Sequence, residues 1–131
     1  RSLKPKIRKK LVKLMKEVVK NTVSVKGVDY QFDYDYRFPP LINNQDMTNL
    51  VQKAANKILG SDRLRSAAKP NMGGEDFSYF AREVPSCFFY LGIAPTEGQI
   101  FHHHPNFVVN DNVLKDGVAV LSQAVIDFLK K

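Results

Sequence analysis

Apolar and polar residues alternate without a break from Val28 to Phe38, and this pattern constrains the fold more than any other stretch. Successive side chains of a strand point to opposite faces, so the alternation predicts a strand over about residues 28–38. One face would be buried and the other charged and wet, which is typical of an antiparallel or edge position. Pro39-Pro40 follows at once and predicts a stiff connector.

A helix is predicted over about residues 5–26, before that strand. Pro5 suits the first helical position because its missing N–H is not needed there, and Gly27 supplies a left-handed stop. The β-branched stretch Asn21–Val25 could instead begin a strand. Between Pro5 and Gly27, apolar residues recur at three- and four-residue spacing, which predicts one apolar stripe: Ile7, Leu11, Leu14, Val18, Thr22 and Val25.

The net charge of +7 on 131 residues raises the question of a nucleic-acid partner. Aromatic residues do not interleave with the basic residues of the first helix, so it lacks a platform on which bases could stack. We therefore expect a solvated helix face and no nucleic-acid partner. The basic residues concerned are Lys4, Lys6, Arg8, Lys9, Lys10, Lys13, Lys16 and Lys20.

Helices and strands are predicted to alternate beyond the proline pair, which indicates an α/β core. Asn43 or Asn44 can cap a helix that ends at Gly60. A short strand is possible at residues 63–68, a short helix follows Asp76, and the continuously apolar run 87–91 suits a strand covered on both faces. A last helix is predicted from about Asn112, capped by Asp111. Its apolar positions are Leu114, Val118, Leu121, Val125, Phe128 and Leu129.

The proline pair also marks the predicted domain boundary, with a smaller piece at 1–40 and a larger one at 41–131. The single cysteine, Cys87, excludes an intramolecular disulfide and fits a reducing compartment, so we expect a cytoplasmic protein. No apolar run approaches the roughly 18 residues that span a bilayer, so no membrane is expected as a partner.

All the histidines of the chain stand side by side at His102, His103 and His104. Neutral imidazole is a common ligand of metals such as zinc. Pro105 biases His104 towards extended backbone, where neighbouring side chains diverge, so we expect one ligand from this loop and further ligands from elsewhere. The alternative is an ordinary exposed loop.

Gly73 and Gly74 precede Glu75-Asp76 at the predicted start of the short helix. Glycines let a ligand approach the backbone, and free N–H groups at a helix start attract anions such as a carboxylate. The alternative is a flexible turn with Asp76 as an ordinary N-cap. A double glycine by itself is a weak signal.

An ordered series of motifs closely resembles the C-terminal part of the di-metal amidohydrolases that cleave N-acyl amino acids. The series is Met72–Phe80, Val84-Pro85, Tyr90-Leu91-Gly92 and His103–Phe107. The branch includes aminoacylase-like enzymes, hippurate hydrolase and the indole-acetyl-amino-acid hydrolases, and it is related to the metallo-carboxypeptidases. Residues 1–43 resemble the end of that family's smaller lid or dimerisation domain.

The resemblance implies an α/β metallopeptidase-like catalytic domain, preceded by a helix-strand piece of the smaller α+β domain. It further implies that His103 is a metal ligand, and that Gly73, Gly74 and Arg1 lie near the free carboxylate of an N-acyl amino acid or small peptide. Two divalent ions (zinc, manganese or cobalt) would be bound by an intact homodimeric enzyme. Because the family's other ligands and its general base match nothing here, we expect a fragment that is inactive alone and binds no metal stably.

A competing interpretation is a non-catalytic binding module that holds an acidic partner through its lysine-rich helix. Steeply salt-dependent binding would be its signature.

Overall fold

A computed structural model describes residues 2–66, 69–93, 100 and 102–130 of the chain. Four α-helices lie in these ranges: α1 (Pro5–Ser24), α2 (Gln45–Leu59), α3 (Phe77–Glu83) and α4 (Leu114–Leu129). Short 3-10 turns occupy Ser61–Arg63 and Asp111–Val113. The described residues fall into two compact units, the first from Arg1–Ile42 and Ala68–Val84, the second from Asn43–Ala67 and Pro85–Lys131. No helix of the described ranges has the length and apolarity needed to cross a membrane.

Helix α1 of the first unit begins at Pro5 as the sequence predicts, and ends at Ser24, just before Gly27 takes its left-handed φ of +62°. Its packing differs from the prediction, because the one buried residue of the helix is Val12, which is not part of the predicted stripe. The predicted stripe is exposed, from 40% at Leu11 to 83% at Val25. An apolar stripe is buried only where a second layer covers it, and no described residue covers this one.

The predicted strand at 28–38 is not found, because the structure assigns no strand to these residues. The carbonyls near its end are held by side chains. The Arg8 guanidinium donates to the Phe38 carbonyl at 2.7 Å and to the Tyr36 carbonyl, and the Tyr79 hydroxyl donates to the Arg37 carbonyl. A strand requires a partner strand with which its backbone forms hydrogen bonds. The alternating pattern predicts which face is apolar, but it does not supply that partner.

The second unit is built on the packing of α2 against α4. Leu50 and Ala54 of α2 form a buried cluster with Ala124 of α4. Asn44 caps α2 by accepting from the Asp46 and Met47 N–H groups, so the sequence located the cap correctly. Helix α2 ends at Gly60, whose φ is +79°.

Two exposed ion pairs link helix α4 to helix α2 and to the 3-10 turn that follows α2. Lys57 donates to both carboxylate oxygens of Asp127 at 2.7 and 2.9 Å, and Arg63 donates to Asp116 at 2.7 Å. Exposed pairs contribute little to stability individually, so neither pair by itself holds the unit together.

The second unit departs from prediction in its strands and in the orientation of α4. No strand is assigned at 87–91 or at 63–66, and residues 67 and 68 lie outside the described ranges. Helix α4 is preceded by a 3-10 turn capped by Asn110 rather than by Asp111. Its buried residues are Gly117, Val120 and Ala124. The predicted stripe is instead exposed: Leu114, Val118, Leu121, Val125, Phe128 and Leu129.

Candidate metal and substrate site

The histidines lie in a turn rather than in the extended segment that Pro105 led us to expect. Residues 102–106 form turns, and the Phe107 N–H donates to the His104 carbonyl at 3.0 Å. His103 has a φ of +71°, in the left-handed region that L-residues other than glycine rarely occupy. The His102 and His103 rings lie 4.8 Å apart at their centroids, edge to face, and all three side chains are exposed.

The three imidazoles are not chemically equivalent. The Asn106 N–H donates to His104 Nδ1 at 3.1 Å, so a neutral His104 carries its proton on Nε2. Neither nitrogen is then available to a metal unless this hydrogen bond breaks. Within the described ranges, the ring nitrogens of His102 and His103 accept no such bond.

The described residues do not form a metal centre by themselves. No group of three or more histidine, cysteine, aspartate or glutamate side chains among them could hold an ion. Catalytic zinc normally takes three protein ligands. The described residues therefore lack the ligand set that a catalytic zinc ion requires.

The glycine pair lies in the loop before α3, a helix of seven residues. The Gly73 N–H donates to Asn71 Oδ1 at 2.6 Å, so this amide is already engaged. Among the described contacts, none involves the Gly74 N–H. Of these two amides, the Gly74 N–H therefore lacks an acceptor among the described residues.

Capping at the start of α3 differs from the alternative interpretation, in which Asp76 is an ordinary N-cap. Asp76 makes no side-chain capping bond. The Glu75 carboxylate accepts from the Phe77 N–H at 3.2 Å, and the fully buried Ser78 donates to the Glu75 carbonyl at 2.6 Å. These bonds fix the residues immediately after the glycine pair.

The predicted site residues fall in different parts of the chain. His103 belongs to the second unit, and Gly73 and Gly74 belong to the first. Arg1 lies outside the described residues. Two residues that the sequence did not single out also matter, namely Asn71, which binds Gly73, and Asn106, which binds His104. Only the general tendency of asparagine to occupy turns could have indicated them.

Comparison with known proteins identifies the family of this chain. The family described as Peptidase family M20/M25/M40 matches residues 4–127. The chain belongs to this family. The membership confirms the resemblance and the predicted α/β fold class, to which the described ranges contribute helices.

Relatives within the family M20/M25/M40 are considerably longer than this chain. The putative amidohydrolase YhaA of Bacillus subtilis is 32% identical over 130 residues, which are 98% of this chain and 33% of the relative. IAA-amino acid hydrolase ILR1-like 2 of Arabidopsis thaliana is 37% identical over 94 residues, which are 71% of this chain and 21% of the relative. Thermostable carboxypeptidase 2 of Saccharolobus solfataricus is 30% identical over 134 residues, covering 100% of this chain and 33% of the relative. The chain thus spans a third or less of these relatives. No solved structure matches it.

Proposed function

We propose that this chain is part of a metal-dependent hydrolase that cleaves the amide bond of N-acyl amino acids. The observation that carries the proposal is the family match over residues 4–127. Two relatives support the substrate class by their names, one as a putative amidohydrolase and one as a hydrolase of an IAA-amino acid.

His103 is the metal ligand that this chain would contribute. Its imidazole is exposed and its backbone holds a left-handed φ of +71°. A non-glycine residue in that region costs on the order of 1–3 kcal/mol, and such strain clusters at functional sites. Two divalent ions (zinc, manganese or cobalt), when bound by the intact enzyme, would activate water for attack on an amide carbonyl.

The loop at Gly73 and Gly74 would receive the free carboxylate of the substrate. The Gly74 N–H has no partner among the described contacts and could donate to a carboxylate oxygen, whereas Asn71 already accepts from Gly73. Arg1 would add a guanidinium, which pairs with a carboxylate through two parallel hydrogen bonds. The intact protein would be a homodimer, and residues 1–40 and 41–131 would belong to its smaller and larger domains.

The test uses the full-length polypeptide that contains these residues. It should release free amino acid from N-acyl substrates, lose this activity on chelation, and regain it with a divalent cation. The 131-residue chain assayed alongside should release none. Chelator-resistant hydrolysis by the full-length protein would contradict the metal-dependent mechanism, and turnover by the short chain would contradict its expected inactivity.

A second candidate is supported by the surface of α1. Its six lysines from Lys6 to Lys20 are all exposed, and Glu17 is the only acidic residue of the helix. A non-catalytic module that holds an acidic partner would bind a polyanion such as heparin with an affinity that falls steeply with salt. Replacing Lys9, Lys13 and Lys16 by glutamine should then abolish binding, whereas the hydrolase proposal expects unchanged turnover.

A further inference from the structure

Three consecutive backbone carbonyls, those of Tyr36, Arg37 and Phe38, are bound by side chains from two helices. From α1, the Arg8 guanidinium donates to the Phe38 carbonyl at 2.7 Å and to the Tyr36 carbonyl. From α3, the Tyr79 hydroxyl donates to the Arg37 carbonyl between them. We call Arg8, Tyr79 and the three carbonyls the carbonyl clamp. All of its residues belong to the first unit.

Ring contacts join the same two helices to the same segment. The Arg8 guanidinium lies 5.1 Å from the centroid of the Tyr36 ring, in a cation–π contact. The Tyr79 ring meets the Phe38 ring edge to face, with 6.3 Å between the centroids. Each helix is therefore joined to the segment by hydrogen bonding and by a ring contact.

The backbone at the centre of the carbonyl clamp is strained. Arg37 has a φ of +24°, which residues other than glycine rarely adopt. The Asp35 carboxylate accepts from the Arg37 N–H at 2.9 Å and from Arg37 Nε at 2.8 Å. Such a backbone persists only where its surroundings over-determine it, and the bonds from Asp35, Arg8 and Tyr79 meet that requirement. The segment therefore has one defined conformation on which both helices are held.

Short-range bonds connect the clamp to the glycine-pair loop. Ser78, the neighbour of Tyr79 in α3, is fully buried and donates at 2.6 Å to the carbonyl of Glu75, which directly follows the glycine pair. On the other side of the pair, Asn71 accepts from the Gly73 N–H at 2.6 Å. The loop is thus bonded to α3, and the Tyr79 hydroxyl bonds α3 to the clamped segment.

We propose that Arg8 and Tyr79 are positioning residues for recognition of the substrate carboxylate. By binding one segment from two helices, they hold the glycine-pair loop where the Gly74 N–H meets that carboxylate. The inference rests on the proposed function, which assigns the carboxylate to this loop. Neither side chain needs to touch the substrate or the scissile amide. Displacing the loop should therefore weaken substrate binding without slowing the chemical step, so KM should change and kcat should not.

The test compares two tyrosine variants of the full-length polypeptide. Tyr79→Phe removes the donating hydroxyl and keeps the ring against Phe38. Tyr30→Phe is the matched control, because Tyr30 belongs to the same unit and is 45% exposed, against 47% for Tyr79. No hydrogen bond of the Tyr30 hydroxyl occurs among the described residues. The probes are an N-acyl amino acid, as substrate, and the corresponding N-acyl amino amide, as a competing ligand without the carboxylate.

Tyr79→Phe should raise KM for the N-acyl amino acid about tenfold, as loss of one hydrogen bond can. Its kcat and the inhibition constant of the amide should stay at the unsubstituted values, and Tyr30→Phe should change none of the three. Arg8→Lys should also raise KM selectively, because an ammonium group cannot hold two carbonyls in the fork geometry of a guanidinium.

Two kinetic outcomes would overturn the proposal. One is an unchanged KM in Tyr79→Phe, and the other is an equal rise in KM for the acid and in the inhibition constant of the amide. If the unsubstituted protein hydrolyses no N-acyl amino acid, the proposed function fails, and amide hydrogen exchange then decides on the clamp. Faster exchange of the Gly73 amide in Tyr79→Phe than in Tyr30→Phe would support it, and equal exchange would overturn it.

Discussion

The backbone N–H of Asn106 donates a hydrogen bond to Nδ1 of His104 at 3.1 Å, within a turn closed by the Phe107 N–H on the His104 carbonyl. This bond separates His104 from His103, which is adjacent in sequence and has no such partner in the described ranges. His104 therefore differs from His102 and His103 in its readiness to bind a metal, because the local backbone already engages its Nδ1.

We expect neutral His104 to be locked as the Nε2–H tautomer, because Nδ1 accepts from Asn106. Nitrogen-15 NMR at about pH 9, where imidazole is neutral, should show this tautomer. The Asn106→Pro variant removes the donor and should release the preference, whereas Asn106→Ala keeps the backbone N–H and should preserve it. A Nδ1–H tautomer in the unsubstituted chain would contradict the hydrogen bond.

Close contact between Gly117 and Leu91 predicts that a larger residue at 117 is destabilising. Gly117→Val would place its Cβ 2.9 Å from Leu91 Cδ2, which is too close unless one of the two side chains shifts. We expect a loss of about 1–3 kcal/mol in the free energy of unfolding, as overpacking commonly costs. Urea unfolding measures the loss.

The control for that substitution lies on the same helix. Ser122 is exposed, so Ser122→Val should change stability by no more than about 0.5 kcal/mol. In a Leu91→Ala background the cost of Gly117→Val should fall, because the clashing atoms are gone. Additive effects of the two substitutions would show that Leu91 does not limit the space at Gly117.

The ion pair of Lys57 and Asp127 predicts a pH dependence of stability. The hydrogen bond from the Lys57 ammonium lowers the pKa of Asp127 from its ordinary value of 3.8. The folded state therefore favours the ionised carboxylate. The stabilisation of the folded state by the ionised Asp127 is fully present above pH 3.8. It is lost as the pH falls through the lowered pKa of Asp127.

The free energy of unfolding, measured from about pH 6 down to about pH 2, should fall in the unsubstituted chain. It should fall less in the Lys57→Met variant. Lys53→Met is the matched control, since this neighbouring lysine of α2 forms no ion pair in the described part of the chain. Parallel pH profiles for Lys57→Met and the unsubstituted chain would exclude a contribution from the pair.

Local signals in the sequence were sufficient to predict the helices. Pro5 marks the start of α1, Asn44 caps α2, and periodic apolar residues identify α4 although its first turn is 3-10. Each of these features acts over one or two helical turns, so the neighbouring residues determine it.

Strands and buried faces were predicted less well because they depend on distant partners. The alternation at 28–38 and the apolar run at 87–91 indicate that each segment could form a strand, yet no partner strand lies in the described ranges. The apolar stripes of α1 and α4 were correctly identified as stripes, but which face is covered depends on a second layer. At the candidate site, residue types indicated histidine ligation, while the bond from Asn106 and the φ of His103 are properties of the folded turn.

The most direct test of the account is the metal content of the full-length polypeptide in three single variants. His103→Ala should weaken metal binding by roughly a hundredfold or more, since loss of a ligand exceeds the 10–100-fold effect of a residue that only orients one. His102→Ala and His104→Ala should retain nearly all of the bound metal, measured by elemental analysis after dialysis against a weak chelator. Equal losses in all three variants, or full metal retention in His103→Ala, would contradict the assignment of His103 as the ligand.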